Sequence, residues 1–186
     1  MANIIPIVTS ERSGWTSDLF SYHLKRRQIF LTDRIDITLA ESVIAQIMYL
    51  DNQSNDVIEI IVQSGGGEVN AGNSIIDHMR MARSPIHCIG TGSVASMASV
   101  ILSSGDYRYA TERCEIMIHQ IKGGNWGQAT DVEIHAERMM NMKRDLTKTL
   151  ARNSKLSYDE MFDMLERDCF LTPEQALDIG LIDRII

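Results

Sequence analysis

Apolar positions along this chain fall into two alternating periods. Val57-Ile58-Glu59-Ile60-Ile61-Val62 is an almost unbroken apolar run and reads as the strongest strand. A polar stretch over residues 51–56 precedes it, and Ser64-Gly65-Gly66-Gly67 follows it. Residues 28–32, 86–90, 107–110 and 115–118 are shorter runs of the same kind, the last two parted by a turn at 111–114. Helical spacing fills the intervals. One helix is expected to begin near Thr16-Ser17-Asp18, with Leu19, Phe20, His23, Leu24 and Arg27 along one side. In the next, Thr38 is the expected cap with Glu41 as its reciprocal partner, and the apolar stripe is Leu39, Val43, Ile44, Ile47 and Met48. A third runs from Val69 to about Arg83 and stops before Pro85. A fourth follows a small-residue loop, Gly92-Ser93-Val94-Ala95-Ser96, and reaches about Leu102. Strands alternating with helices imply βα units and a largely parallel sheet.

The second half of the chain is more polar. Residues 129–153 carry no Gly or Pro and read as one long helix. Its apolar residues, among them Val132, Ile134, Met139, Met140 and Leu146, wrap more than one stripe between many charges. Such a helix is expected to project from the body and pack on another copy, an ordinary solvent-facing helix being the alternative. Ser157 and Glu160 form a capping box that opens a helix through Leu165. Asp168, within residues 166–170, reads as lying between that helix and an apolar turn. Thr172-Pro173-Glu174-Gln175 is N-cap, N1 proline and N3 glutamine in register, and residues 181–186 read as a terminal strand. No linker or repeat interrupts the chain. Residues 1–15 are set apart as an N-terminal segment, and 16–186 are expected to form one domain.

Composition narrows the classes. With 186 residues and 44% hydrophobic content, the chain can build a proper core. A net charge of −7, with Lys25-Arg26-Arg27 as its longest basic run, argues against nucleic acid as a partner. No apolar run has the length of a membrane span, so no membrane partner is expected. The first residues lack the basic region and apolar core of a signal peptide. With Cys88, Cys114 and Cys169 odd in number and far apart, this favours the cytoplasm over a disulfide framework. No Cys or His pair has metal-ligand spacing, and no metal is expected.

Candidate chemistry centres on Ser96. A serine where a strand turns into a helix places its Oγ near free N–H groups, as an acyl-transfer nucleophile requires. The glycine run after the strongest strand fits either a phosphate cradle or an oxyanion hole, but strict dinucleotide and P-loop spacings are absent. His119 ends a strand and opens a second glycine loop, where parallel-sheet proteins place working side chains. A carboxylate to orient it stays open, because nothing local selects Asp168 over Asp163 or Asp178.

In five stretches the chain resembles the proteolytic subunit of the Clp protease, almost end to end. They are Ile29-Phe30-Leu31-Thr32; Ser64-Gly65-Gly66-Gly67 with Ala71-Gly72; Gly92 through Met97; Met117-Ile118-His119-Gln120 with Gly123-Gly124 and Gly127-Gln128-Ala129-Thr130-Asp131; and Glu166-Arg167-Asp168 with Phe170-Leu171-Thr172. The resemblance implies an α/β fold, the crotonase-like ββα superhelix with a protruding handle helix, the handle covering about 120–153. It implies a serine endopeptidase with Ser96 as nucleophile, His119 as base and Asp168 as orienting acid. The amides of Gly67 and Met97 would form the oxyanion hole. Substrate would lie as an added strand touching Gly66, Val69 and Ile121. Implied partners are further copies in two stacked heptameric rings, an AAA+ unfoldase and unfolded protein substrates. The subunit itself would need no cofactor, since ATP is spent by the unfoldase. Residues 1–15 would be an axial segment, and Arg167 would sit near the contact between rings.

Departures from the family pattern accompany the match. Gly65 and Ile121 stand where proline is usual, which loosens two segments beside the expected site. Ala98 replaces a usual glycine, and Glu59 replaces a frequent aromatic in the unfoldase groove. Two alternatives follow: a weakly active regulatory subunit of a mixed ring beside a more typical copy, and a crotonase-type acyl-CoA enzyme, because fold alone does not fix function.

Overall fold

The computed structural model describes residues 7–9, 16–124 and 126–186. Most of the expected axial segment 1–15 lies outside the described residues. Its described part, β1 (Ile7–Thr9), pairs antiparallel with β2 (Thr16–Asp18). Thr16 and Ser17 are thus strand, and the helix expected to begin near Thr16-Ser17-Asp18 starts at the end of that stretch. Short polar and β-branched residues are poor helix formers, and here they find a strand partner instead. Asp18 is the cap, accepting from Ser21 N at 2.9 Å, and α1 (Leu19–Lys25) follows.

The chain continues through β3 (Gln28–Leu31), α2 (Ile37–Asp51), β4 (Ile58–Ser64), α3 (Val69–Met81), β5 (Ile86–Ala95), α4 (Met97–Ser103), β6 (Tyr107–Ala110) and β7 (Glu115–Ile118). It ends with α5 (Ala129–Arg152), α6 (Tyr158–Met164), β8 (Cys169–Leu171), α7 (Pro173–Asp178) and β9 (Arg184–Ile185). Strands β3, β4, β5, β6 and β9 lie side by side in that order, each neighbouring pair parallel. Their inward side chains, such as Ile29, Leu31, Ile58, Ile60 and Val62, bury against Val43, Ile47 and Leu50 of α2 and Ile75 of α3. This is the α/β, mostly parallel, crotonase-like architecture that the resemblance implied.

One strand organises the site. β5 does not stop at Gly90 but runs on through Ala95, so the expected serine loop is a strand. It changes partner on the way. His87 through Gly90 pair with β6, whereas Ser93 through Ala95 pair with β7. Gly92, with φ 59°, lies at the change. Beyond it, β7 is also covered by β8, the one antiparallel pairing in this sheet among the described residues. Cys169 through Leu171 are therefore a strand where the local pattern read a turn.

Four further corrections have local causes. The cap of α2 is Asp36, which accepts from Leu39 N at 2.9 Å, and Thr38 lies inside the helix. Its buried stripe is Ala40, Val43, Ile47 and Leu50, which leaves Met48 exposed one position off the stripe. Helix α3 ends at Met81, short of Arg83, because Asp51 Oδ1 accepts from Arg83 N at 2.9 Å and Ser84 N at 2.8 Å and holds that backbone extended. The terminal strand is only Arg184–Ile185, because Asp183 turns its carboxylate to Arg108 just before it. The long helix α5 forms as expected, preceded by irregular chain rather than more helix. Every residue from 129 to 138 is exposed, and the helix docks through Lys143, Thr147 and Leu150. No helix among the described residues is long and apolar enough to cross a membrane.

Candidate active site

Ser96 is the single residue joining β5 to α4. Its backbone takes φ 59° and ψ −126°. Positive φ costs an L residue about 1–2 kcal/mol, so the surrounding structure must enforce it. Ser96 N donates to Met117 O at 2.8 Å, which ties the joint to β7. Beneath it, the buried Ser99 hydroxyl lies 2.8 Å from Val94 O and 2.7 Å from Met117 O and fastens β5 to β7. A sharp strand-to-helix turn of this kind lifts the serine Oγ clear of the sheet.

His119 follows directly on β7. Because β7 lies beside the last residues of β5, the two strand ends deliver His119 to Ser96. The Oγ lies 2.8 Å from His119 Nε2, in range for the hydroxyl to donate. The ring is 10% exposed. Burial, and then the charge of Lys122, push its pKa below the ordinary imidazole value, against an upward pull from Asp168. The neutral ring, which is the base form, is thereby favoured.

The glycine run packs directly on this joint. Ser64 Oγ donates to Asp33 O at 2.6 Å and accepts from Gly66 N at 3.1 Å. Gly66 has φ 91°, and a Cβ there would lie 2.7 Å from both Ala95 O and Ser96 Cβ. Gly67 forms a parallel bridge with Ile35, and a Cβ on it would strike the Ile35 carbonyl. Glycine is required at both positions because backbone occupies the space of a side chain.

A cleft of about 180 Å³ opens beside the pair. Gly67, Val69, Met97 and Ile121 line it with Ser96 and His119, and Val100, Leu146 and Leu150 make it apolar. Gly66 stands behind it, against Ser96.

The antiparallel return of β8 along β7, with Ile118 opposite Cys169, sets Asp168 beside His119. Of the three acids left open by local pattern, Asp168 alone among the described residues lies within 4.0 Å of the imidazole. Its Oδ1 is 3.6 Å from Nδ1, beyond a hydrogen bond, and its side chain is 42% exposed. The hydrogen bond from Lys122, and then the charges of Lys122 and His119, hold its carboxyl below the usual carboxylate range.

Several contributors escape sequence reasoning. Gln120 donates from N to Leu165 O at 2.8 Å and from Nε2 to Glu166 O at 3.0 Å, stapling the two segments that carry His119 and Asp168. Lys143 of α5 pairs with Glu166 and lies 4.0 Å over the Phe162 ring. Lys122 left one signal, a cation three residues after the histidine. The cysteines offer no rival nucleophile in the core: burial pushes Cys88 up to about 12 and Cys114 to about 11.

A parallel-sheet α/β protein with a serine hydrogen-bonded to a histidine at adjoining strand ends is the class so defined. The family model described as Clp protease matches residues 11–186, and the chain belongs to the Clp protease family. It is accordingly a chain of the proteolytic-subunit type, in a family of serine peptidases.

Proposed function

We propose that the chain is the catalytic subunit of an ATP-dependent serine protease that cleaves unfolded proteins to short peptides. The observation that carries this is the 2.8 Å contact of Ser96 Oγ with His119 Nε2 at the wall of the cleft, in a Clp protease family member. Ser96 Oγ attacks the scissile carbonyl carbon while its proton passes to Nε2. The carbonyl oxygen takes the negative charge, and the amides of Gly67 and Met97 are the donors offered to it. On collapse the C–N bond breaks and Nε2 returns the proton to the leaving amine. Water then repeats the sequence on the acyl-serine. Asp168 orients the imidazole and steadies its charged form. A peptide would lie extended between the Gly66–Val69 side and Ile121, with an apolar side chain toward Val100, Leu146 and Leu150.

Assembly belongs to the same proposal. Copies form two stacked heptameric rings through the exposed half of α5, where Val132, Ile134 and Met140 are uncovered, and Trp126 just before it is 96% exposed. The family supports an AAA+ unfoldase that spends the ATP and feeds unfolded chains inward. The free cysteines support a cytoplasmic setting. The test is intact-mass labelling with a fluorophosphonate. A single adduct that disappears in Ser96→Ala is expected, and an adduct that survives the substitution refutes the assignment. One observation favours a second reading, a subunit held back until it meets a partner: Asp168 lies 2.9 Å from Lys122 Nζ, whereas its 3.6 Å approach to His119 is too long for a hydrogen bond. Labelling that requires a partner ring or unfoldase would select it.

A further inference from the structure

The acid side of the site carries a contact that serine–histidine chemistry does not need. Lys122 Nζ lies 2.9 Å from both carboxylate oxygens of Asp168. His119 Nδ1 lies 3.6 Å from the nearer oxygen. It is the one buried side-chain nitrogen or oxygen without a hydrogen-bond partner among the described residues. Such groups are almost always paired in folded proteins, and an orphan marks a function or an incomplete arrangement. A carboxylate that fixes the tautomer of a catalytic imidazole must accept from Nδ1–H at hydrogen-bond distance. Here that acceptor is beside the donor but turned to a cation.

We propose that Lys122 is a positioning residue acting through Asp168: it holds the carboxylate off His119 in the free subunit, and the triad closes when Lys122 releases it. The inference rests on the reading of Ser96, His119 and Asp168 as a triad.

Three features make the contact a latch rather than a fixed support. Lys122 is 63% exposed and Asp168 42%, and ion pairs that open to water are weak enough to exchange partners. Lys122 also lines the cleft next to Ile121, so an occupant of the cleft meets it. The segment that carries Asp168 has its own anchors. Glu166 is taken by Lys143, and Gln120 donates to the Glu166 carbonyl. Releasing Lys122 therefore frees the Asp168 side chain without freeing its backbone. The charges acting on the imidazole are Lys122, which lowers its pKa, and Asp168, which raises it, so release weakens the first and strengthens the second, and both changes favour the charged ring.

The experiment is a histidine titration by NMR on the full chain with labelled histidine. It compares wild type, Lys122→Met and Lys122→Arg, each with and without Asp168→Asn. In Lys122→Met the His119 midpoint is expected to rise by about one pH unit. A downfield Nδ1–H resonance, absent from wild type, should accompany it. Lys122→Arg should behave as wild type, and adding Asp168→Asn to Lys122→Met should erase both changes. An unmoved midpoint with no new resonance overturns the latch, and so does a gain that survives Asp168→Asn. Fluorophosphonate labelling of the same panel, above the titration range of the ring, should accelerate at least about fivefold in Lys122→Met, a small part of the ~10⁴-fold in kcat that replacing a triad acid by its amide costs. The two readouts fail separately. A titration that behaves as expected without labelling of Ser96 in any variant, alone or with a partner ring, refutes Ser96 as the nucleophile and leaves only the hold of Lys122 on the Asp168–His119 pair standing. Labelling with a static titration does the reverse.

Discussion

Gly66→Ala tests whether the glycine run is the wall that shapes the Ser96 joint. Gly66 has φ 91°, which costs alanine about 1–2 kcal/mol before any contact is counted. The added methyl would stand 2.7 Å from Ala95 O and Ser96 Cβ and 3.0 Å from Met97 N, where ordinary contacts begin at 3.4 Å. Something must yield by about 0.7 Å, the gap between 2.7 and 3.4 Å, and every atom in the way belongs to the serine joint or its flanking backbone. Misplacing a reacting group by 1 Å costs on the order of 10²-fold in rate. The expected result is a fall of about 10- to 100-fold in fluorophosphonate labelling, with a stability loss of only about 1–3 kcal/mol. Gly65→Ala is the matched control, since a Cβ there meets nothing within 4 Å. It should label within about twofold of wild type. The assay is the second-order labelling rate by intact mass, with a thermal melt of each sample. Folded Gly66→Ala protein that labels at the wild-type rate refutes the reasoning, as does an equal loss in Gly65→Ala.

Further expectations concern charge and stability. Because the His119 pKa is lowered, the acid limb of kcat/KM should have its midpoint below the ordinary imidazole value of 6.5, as a pH–rate profile on a peptide substrate would read. By the same sign the native state binds fewer protons there than the unfolded chain, so stability falls as pH drops through the ordinary imidazole range. His119→Gln should flatten the change in denaturation midpoint between about pH 7.5 and 5.5. Arg27 donates to the carbonyls of Val57, Leu50, Ser54 and Asp56 and to Ser84 Oγ, closing the turn between α2 and β4. Arg27→Ala should cost about 2–3 kcal/mol in urea unfolding, and Arg27→Lys should not restore it, since one ammonium cannot span that fan of acceptors. Asp183 accepts from Arg108 Nη2 at 2.6 Å and Nε at 2.9 Å, and its pKa is lowered first by that hydrogen bond. Its contribution is present above the unfolded carboxylate pKa of about 3.9 and is lost as pH falls through the lower folded value, so Asp183→Asn should blunt acid unfolding below about pH 4.

What the chain discloses by itself depends on how locally each feature is encoded. β4 is legible because seven consecutive residues carry its burial pattern, and the capping boxes at Ser157 and Thr172 because both partners lie within one turn. β2 and β8 are three residues each, too short for any periodicity, and are strands only because β1 and β7 lie alongside. The extension of β5 through Thr91-Gly92-Ser93 is likewise set by tertiary pairing, since Gly92 at its centre disfavours a strand. The site divides the same way. Ser96 and His119 stand out as residue types at strand ends. The acid does not, because the register of β7 on β8 selects it and no local pattern encodes that register. Family resemblance named Asp168, but it could not reveal that Lys122 holds it.

The two proline departures beside the site have unequal consequences. A glycine at position 65 was expected to loosen the glycine run. Yet the run is held on either side of it, with Gly66 N on Ser64 Oγ, Ile35 N donating to Gly66 O at 2.9 Å and Glu68 N donating to Ile35 O at 2.7 Å. With open space around Gly65, a proline ring there would add backbone restriction to a segment already fixed by its neighbours. On the other side of the cleft Ile121 lies between His119 and Lys122, and the next side-chain anchor is an exposed ion pair. The glycine-run side of the site is therefore built from neutral hydrogen bonds that a change of pH or salt leaves intact. The imidazole side depends on a carboxylate shared between a ring nitrogen and a solvated ammonium. Whatever regulates this subunit has its softest point of entry there, and salt is the simplest probe. Screening the Lys122–Asp168 pair should speed labelling of Ser96 in wild type and leave Lys122→Met unchanged. Equal salt sensitivity in both would place the soft point elsewhere.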